Sequence, residues 1–108
     1  MPKHHIEPQE VVSPKRRWVT VEILSDEGER KSALALGKWD GKPALGLRWN
    51  GDKDNRIGNP QSRGLATWFI VPKRYNRAIL ESPGLHQDTL NQDKLNFAVR
   101  SLKEGGKW

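Results

Sequence analysis

The stretch KWDGKPALGLRWNG, from Lys38 to Gly51, decides the fold of this chain. Its Asp40-Gly41 pair lies between two runs in which apolar and polar residues alternate, and Asp-Gly in that setting is the strongest local signal for a tight β-hairpin. The hairpin also carries two indole rings and two cations: Trp39, Trp49, Lys38 and Arg48. Bases of a single-stranded nucleic acid stack on aromatic rings while its phosphates pair with cations, so the hairpin predicts a nucleic-acid-binding surface.

The two strands of this hairpin, predicted over residues 31–39 and 42–49, present different side chains on their two faces. In the second strand one face carries Leu45, Leu47 and Trp49, and the other carries Ala44, Gly46, Arg48 and Asn50. Small residues leave a sheet surface flat and open to close approach. We therefore expect the small-residue face, which also carries Trp39, to be bare and to hold the nucleic acid.

Strands and helices are predicted on both sides of the hairpin. Alternating β-branched residues predict a strand over 18–24, and LATWFIV predicts a fourth strand over 65–71, after a long polar loop at 50–64. A helix is predicted over 73–81, with Tyr75, Ala78, Ile79 and Leu80 facing inward. A second helix over 88–103 carries an amphipathic stripe: Leu95, Ala98, Val99 and Leu102.

The predicted fold class is α+β, with a four-stranded antiparallel curved sheet followed by a helix and an appended C-terminal helix. Residues 1–17 are expected to be a flexible basic tail, residues 18–83 the domain, and residues 84–108 a helical extension. The 108 residues include no cysteine, which excludes disulfides, thiolate catalysis and a cysteine zinc site. No apolar run reaches membrane-spanning length, so we expect a soluble, cytoplasmic protein.

Charge favours a phosphate-rich partner. The formal net charge is +6, and the segment from Lys53 to Glu81 holds six cations against two anions. Basic proteins often bind nucleic acid, although a solvated basic face is an equally good interpretation of charge alone.

Two segments, LGLRW at 45–49 and SRGLATWFIVPKRYNRAIL at 62–80, resemble the positive-coactivator-four family of single-stranded-DNA-binding transcription regulators, especially its small bacterial members. The resemblance implies a homodimer with helices at the two-fold interface and curved sheets that hold unpaired strands. It implies a phosphate contact by Arg48, a stacking role for Trp49, and a cation at Arg63 before Gly64. Trp49 follows Arg48 directly and so points to the opposite face, which makes Trp39 the better candidate for stacking.

The prediction is a single-stranded nucleic-acid-binding protein, with DNA favoured over RNA, little sequence specificity, and a role in transcription or DNA metabolism. Its predicted binding residues are Arg48, Trp39, Arg63, Lys53, Arg56, Lys38 and Trp49. We expect no enzymatic activity, cofactor or metal. Two alternatives stay open: a protein-interaction module that uses Leu95, Val99 and Leu102, and a metal-dependent nuclease that uses Asp40, Asp52 and Asp54.

Overall fold

The computed structural model describes residues 5–86 and 92–108. Its strands are β1 (Trp18–Asp26), β2 (Ser32–Trp39), β3 (Lys42–Trp49), β4 (Gln61–Ser62), β5 (Leu65–Ala66) and β6 (Phe69–Ile70). Its helices are α1 (Asn76–Leu80), α2 (Pro83–His86) and α3 (Gln92–Glu104). An antiparallel sheet has the strand order β1-β2-β3-β6, and β4 pairs with β5 in a separate small hairpin. This arrangement confirms the predicted α+β class.

The central hairpin forms where the sequence predicts it. Asp40 and Gly41 have φ angles of 53° and 82°, the positive values that a primed turn requires at both central positions. The turn sets the register, so that Leu36 pairs with Leu45 and Leu34 pairs with Leu47 across β2 and β3. The pairing keeps the leucines on one face and the small residues on the other, as the alternation predicts.

The leucine face is covered by helices. Leu34, Leu36 and Leu45 pack with side chains from β1, α1 and α3 in one buried cluster. The amphipathic stripe of α3 faces this cluster, with Leu95 and Leu102 buried and Val99 half-buried. The C-terminal helix is therefore part of the domain core and not an extension of it. For the same reason the stripe is not available to a protein partner, which corrects the first alternative.

The small-residue face is also covered, so the prediction of a bare surface is wrong. The side chains of Trp18 and Trp68 lie over it with their ring centroids 5.8 Å apart, and Val11 joins the same buried cluster. A Cβ added at Gly37 would lie 2.3 Å from the ring of Trp18. The small residues thus make room for two buried indole rings from the same chain, and burying rings of this size dominates the energetics of a core.

Trp68 also explains why the predicted fourth strand is split. Its indole Nε1 donates a 2.8 Å hydrogen bond to the carbonyl oxygen of Val11, on the inner side of the fold. The chain turns inward at this residue, so β5 pairs with β4 while β6 pairs with β3. Residues 50–64, predicted to be one long loop, consequently contain a strand of their own.

The N-terminal segment is packed against the domain in the described residues, in contrast to the flexible tail predicted for residues 1–17. Residues Pro8–Glu10 form a 3₁₀ turn, Val11 is buried, and the Ile6 amide donates to the Arg56 carbonyl oxygen at 3.0 Å. Val11 covers apolar surface that the sheet would otherwise expose. This segment therefore belongs to the folded unit.

The helices begin and end differently from the predictions. The helix predicted over 73–81 is a 3₁₀ turn at Lys73–Tyr75 followed by α1. Tyr75 and Ala78 are exposed and Asn76 is buried, contrary to the prediction, whereas Leu80 is buried and Ile79 half-buried as predicted. The predicted start of the last helix at residue 88 lies outside the described residues. None of the helices in residues 5–86 and 92–108 has the length and apolar character needed to cross a membrane.

Candidate nucleic-acid interface

Arg48 lies inside the domain. The residue is 3 % exposed, and its guanidinium donates to the backbone carbonyl oxygens of Thr67 and Ile57. These carbonyls belong to the segment before β6 and to the loop after β3, so one side chain ties both segments to the sheet. Loss of solvation on burial lowers the pKa of Arg48. The structure thus gives Arg48 a bracing role in place of the predicted phosphate contact, because the residue is buried and both of its terminal guanidinium nitrogens already bind the backbone.

Trp39 is half-buried, and the side chain of Arg17 covers one face of its ring. The Arg17 guanidinium carbon lies 4.3 Å from the ring centroid, a favourable distance for a cation over an indole. Arg17 also donates hydrogen bonds of 3.0 and 2.8 Å to the two carboxylate oxygens of Asp40. These hydrogen bonds raise the pKa of Arg17 and lower that of Asp40. A base could therefore stack only on the part of the Trp39 ring that Arg17 does not cover.

Trp49 and Phe69 form an exposed aromatic pair at the other end of the hairpin. Leu47 pairs directly with Phe69 across β3 and β6, and Trp49 follows Leu47 by two residues on the same face. Diagonal neighbours of this kind are about 7–8 Å apart, within reach of aromatic side chains. Trp49 is 60 % exposed and Phe69 is 55 % exposed. Both line a depression of about 410 Å³ together with Leu47 and Pro60; these four residues are called the Trp49 surface below.

Three of the predicted cations lie on exposed loops that follow β3 and β4. Lys53 and Arg56 belong to the loop after β3, and Arg63 occupies the turn between β4 and β5. Arg63 and the glycine after it have φ angles of 52° and 79°, a primed turn that presents Arg63 at the tip of the small hairpin. None of these cations forms a salt bridge with another described residue.

The chain itself limits how far Lys53 and Arg63 can lie from the aromatic pair. Lys53 follows Trp49 by four residues and Arg63 follows Pro60 by three. An extended chain spans at most about 3.6 Å per residue, so these Cα atoms lie within about 14 Å and 11 Å of the Trp49 surface. The long side chains extend that reach further. A phosphate backbone whose bases contact the rings could therefore meet the cations.

The loop after β3 is shaped by Asp52. Its carboxylate accepts 2.8 Å hydrogen bonds from the amides of Asp54 and Asn55 and a 2.9 Å salt bridge from Arg30. The hydrogen bond from Asn55 is the largest of several causes that lower the pKa of Asp52. Residues 5–86 and 92–108 contain no group of three or more histidine, cysteine or carboxylate side chains placed to hold a metal ion. The nuclease alternative therefore has no metal-binding cluster in this part of the chain.

The structure separates the predicted binding residues. Trp49 is exposed at the end of β3, Lys53 and Arg56 lie on the loop that follows, and Arg63 lies at the tip of the small hairpin. Arg48 lies inside, and Trp39 and Lys38 lie at the hairpin turn on opposite faces. Trp49 is seven residues along β3 from Lys42, the partner of Trp39, so the two tryptophans are about 24 Å apart.

Two residues of these surfaces were missed by sequence reasoning. The sequence does not indicate the position of Phe69, because its pairing with Leu47 depends on the split of the predicted fourth strand. Arg17 was assigned to a tail, although its position one residue before β1 is a signal that could have placed it beside the hairpin turn.

Comparisons with known proteins found no match among family models, curated proteins or solved structures. The interpretation of the Trp49 surface therefore depends on its own chemistry.

Proposed function

We propose that this protein binds single-stranded nucleic acid at the Trp49 surface. Bases stack on the rings of Trp49 and Phe69, and phosphates pair with Lys53, Arg56 and Arg63. The observation that carries the proposal is the exposure of two aromatic side chains on neighbouring strands. The loops that follow β3 and β4 add three exposed cations that have no salt-bridge partner among the described residues.

The exposure of two large aromatic side chains, Trp49 and Phe69, needs an explanation. Aromatic side chains are usually the largest contributors to a core, and the chain buries two other tryptophans, Trp18 and Trp68. Base stacking on an aromatic ring is worth about 1–3 kcal/mol per base, and every base has a face that can stack. Binding through stacking would therefore show little preference for sequence, in agreement with the expectation from the sequence.

Salt dependence follows from the number of cations. A single strand that contacts three cations gives a slope of log K against log salt of about −2. Raising the salt from 50 to 200 mM should then weaken binding roughly 20-fold. Each of Lys53→Ala, Arg56→Ala and Arg63→Ala should make the slope shallower by about 0.7.

The test is fluorescence anisotropy with a labelled oligo-dT and an oligo-rU of the same length. Trp49→Ala and Phe69→Ala should each weaken binding about 5- to 150-fold. Phe97→Ala is the matched control, because Phe97 is an aromatic residue on α3 that is 41 % exposed and lies away from the Trp49 surface. Equal affinity of wild type and Trp49→Ala, or binding that ignores salt, would contradict the proposal.

A protein partner is the second candidate for the same surface. The depression between Trp49 and Phe69 is lined mainly by apolar groups, which also suits an apolar side chain of another protein. This binding mode depends on burial, so its affinity should change little between 50 and 200 mM salt. The salt titration therefore separates the two candidates.

We also propose the setting that the family resemblance implies. The protein would act as a homodimer and as a cytoplasmic accessory factor in transcription or DNA metabolism. Light scattering of the free protein measures the oligomeric state directly. A monomeric mass at concentrations where oligonucleotide binding saturates would remove the dimer from the proposal and leave the Trp49 surface standing.

A further inference from the structure

A second pocket, of about 210 Å³, lies at the turn of the central hairpin and shares no residue with the Trp49 surface. Its wall includes the indole of Trp39, and three lysines from separate parts of the chain line it: Lys42 after the turn, Lys73 after β6, and Lys107 near the C-terminus. The volume lies below the roughly 300 Å³ at which pockets for drug-sized ligands begin. The pocket therefore suits a small ligand or one end of a larger one.

The charge of this pocket favours an anion. None of the three lysines forms a salt bridge with another residue in the described ranges. The carboxylate that lines the pocket belongs to Asp40, and both of its oxygens accept hydrogen bonds from Arg17. Like charges gathered around one cavity repel each other and attract a counter-ion. An anionic ligand would relieve that repulsion.

Asn76 is built into the wall of the pocket. The residue is 1 % exposed, and its Nδ2 donates a 2.9 Å hydrogen bond to the carbonyl oxygen of Lys107. This bond holds the C-terminal segment against the pocket and so positions the Lys107 side chain. Its Oδ1 is likewise shielded within the wall, so Asn76 serves the pocket as a support and not as a contact for the ligand.

We propose that this pocket binds a phosphate monoester carried on a ring. The phosphate would pair with Lys42, Lys73 and Lys107, and the indole of Trp39 would give the ring an apolar wall. The same chemistry occurs in a free nucleoside monophosphate and at the phosphorylated end of a nucleic-acid strand. The proposal does not depend on the Trp49 surface, because the two places share no residue.

The test follows the indole N–H resonances of the five tryptophans by ¹H–¹⁵N NMR, with Trp39→Phe to assign Trp39. Titration uses inorganic phosphate, adenosine monophosphate, and a ten-residue oligo-dT with or without a 5′-phosphate, at constant ionic strength. We expect a saturable shift of the Trp39 resonance with adenosine monophosphate, a weaker one with phosphate, and no matching shift of Trp49. A shift with the 5′-phosphorylated oligonucleotide alone would assign the site to strand ends.

Lysine variants test the assignment of the charges. Lys42→Ala, Lys73→Ala and Lys107→Ala should each weaken binding roughly tenfold, the effect of losing one charge-assisted hydrogen bond. Lys107→Ala keeps the backbone carbonyl oxygen to which Asn76 donates. Lys38→Ala is the matched control, because Lys38 is the neighbour of Trp39 on the opposite face.

Two results would overturn the proposal of a phosphate site: equal shifts with chloride, or lysine variants that bind like wild type. Trp49→Ala distinguishes the two proposals, since it should remove oligonucleotide binding at the Trp49 surface and leave the response to adenosine monophosphate unchanged.

Discussion

Replacing Arg48 with methionine gives the sharpest test of how this fold is held together. Methionine keeps most of the side-chain length and removes the guanidinium that binds the carbonyl oxygens of Thr67 and Ile57. A hydrogen bond from a charged donor contributes about 1.5–3 kcal/mol, so two contribute about 3–6 kcal/mol. Burying the charge costs part of this. We expect the free energy of unfolding to fall by about 2–4 kcal/mol.

The measurement is urea unfolding followed by tryptophan fluorescence and by circular dichroism. For a domain of this size the loss corresponds to a Tm about 8–16 °C lower. Arg48→Lys should recover only part of it, because an ammonium group lacks the planar fork that spans two acceptors. Lys53→Ala, a change in the neighbouring loop at an exposed lysine, should stay within about 0.5 kcal/mol of wild type.

The opposite result would support the role that the sequence predicts for Arg48. If the residue contacts phosphate, Arg48→Met should unfold at the same urea concentration as wild type, weaken oligonucleotide binding, and make the salt slope shallower by about 0.7. Superimposable unfolding curves for Arg48→Met and wild type would thus refute the bracing role. A stability loss with unchanged oligonucleotide affinity at low temperature would support it.

Two further predictions concern packing and pH. Gly37→Ala should destabilise the protein by about 1–3 kcal/mol in urea unfolding, because the added Cβ would lie 2.3 Å from the Trp18 ring, whereas Gly84→Ala, with nothing within 4 Å, should be neutral. The pKa of Asp52 is lowered in the folded protein, chiefly by the hydrogen bond from Asn55. The ionised carboxylate therefore stabilises the folded protein above its ordinary pKa of 3.8. This stabilisation is lost as the pH falls through the lower pKa of the folded protein. Asp52→Asn should therefore lose less stability than wild type between pH 5 and pH 2, and identical acid profiles would contradict this.

The hairpin was predictable because its signals are local. Asp40-Gly41 specifies the turn, and the period-two alternation after it places each side chain on the correct face. The pattern could not show what covers each face. Trp68 and Val11 meet 57 residues apart in the chain, and nothing near either residue in the sequence announces that contact.

The candidate site shows the same limit. The exposure of Trp49 and the burial of Arg48 depend on where the loop after β3 folds back, since that loop supplies one of the carbonyls that Arg48 binds. An arginine in an alternating strand is normally solvated, and burial needs partners for its donors. Only the tertiary structure reveals that two backbone carbonyls meet at this position.

The two indole rings that lie over the glycine positions have a consequence for evolution. The rings of Trp18 and Trp68 each lie about 3.1 Å from the position that a Cβ on Gly46 would occupy. In a close-packed interior the size of these rings therefore limits the size of the side chain that the sheet can carry beneath them. Side chains at 18, 37, 46 and 68 should therefore covary in homologous sequences. A chain that gains bulk at 37 or 46 should carry a smaller residue in place of one of the indoles.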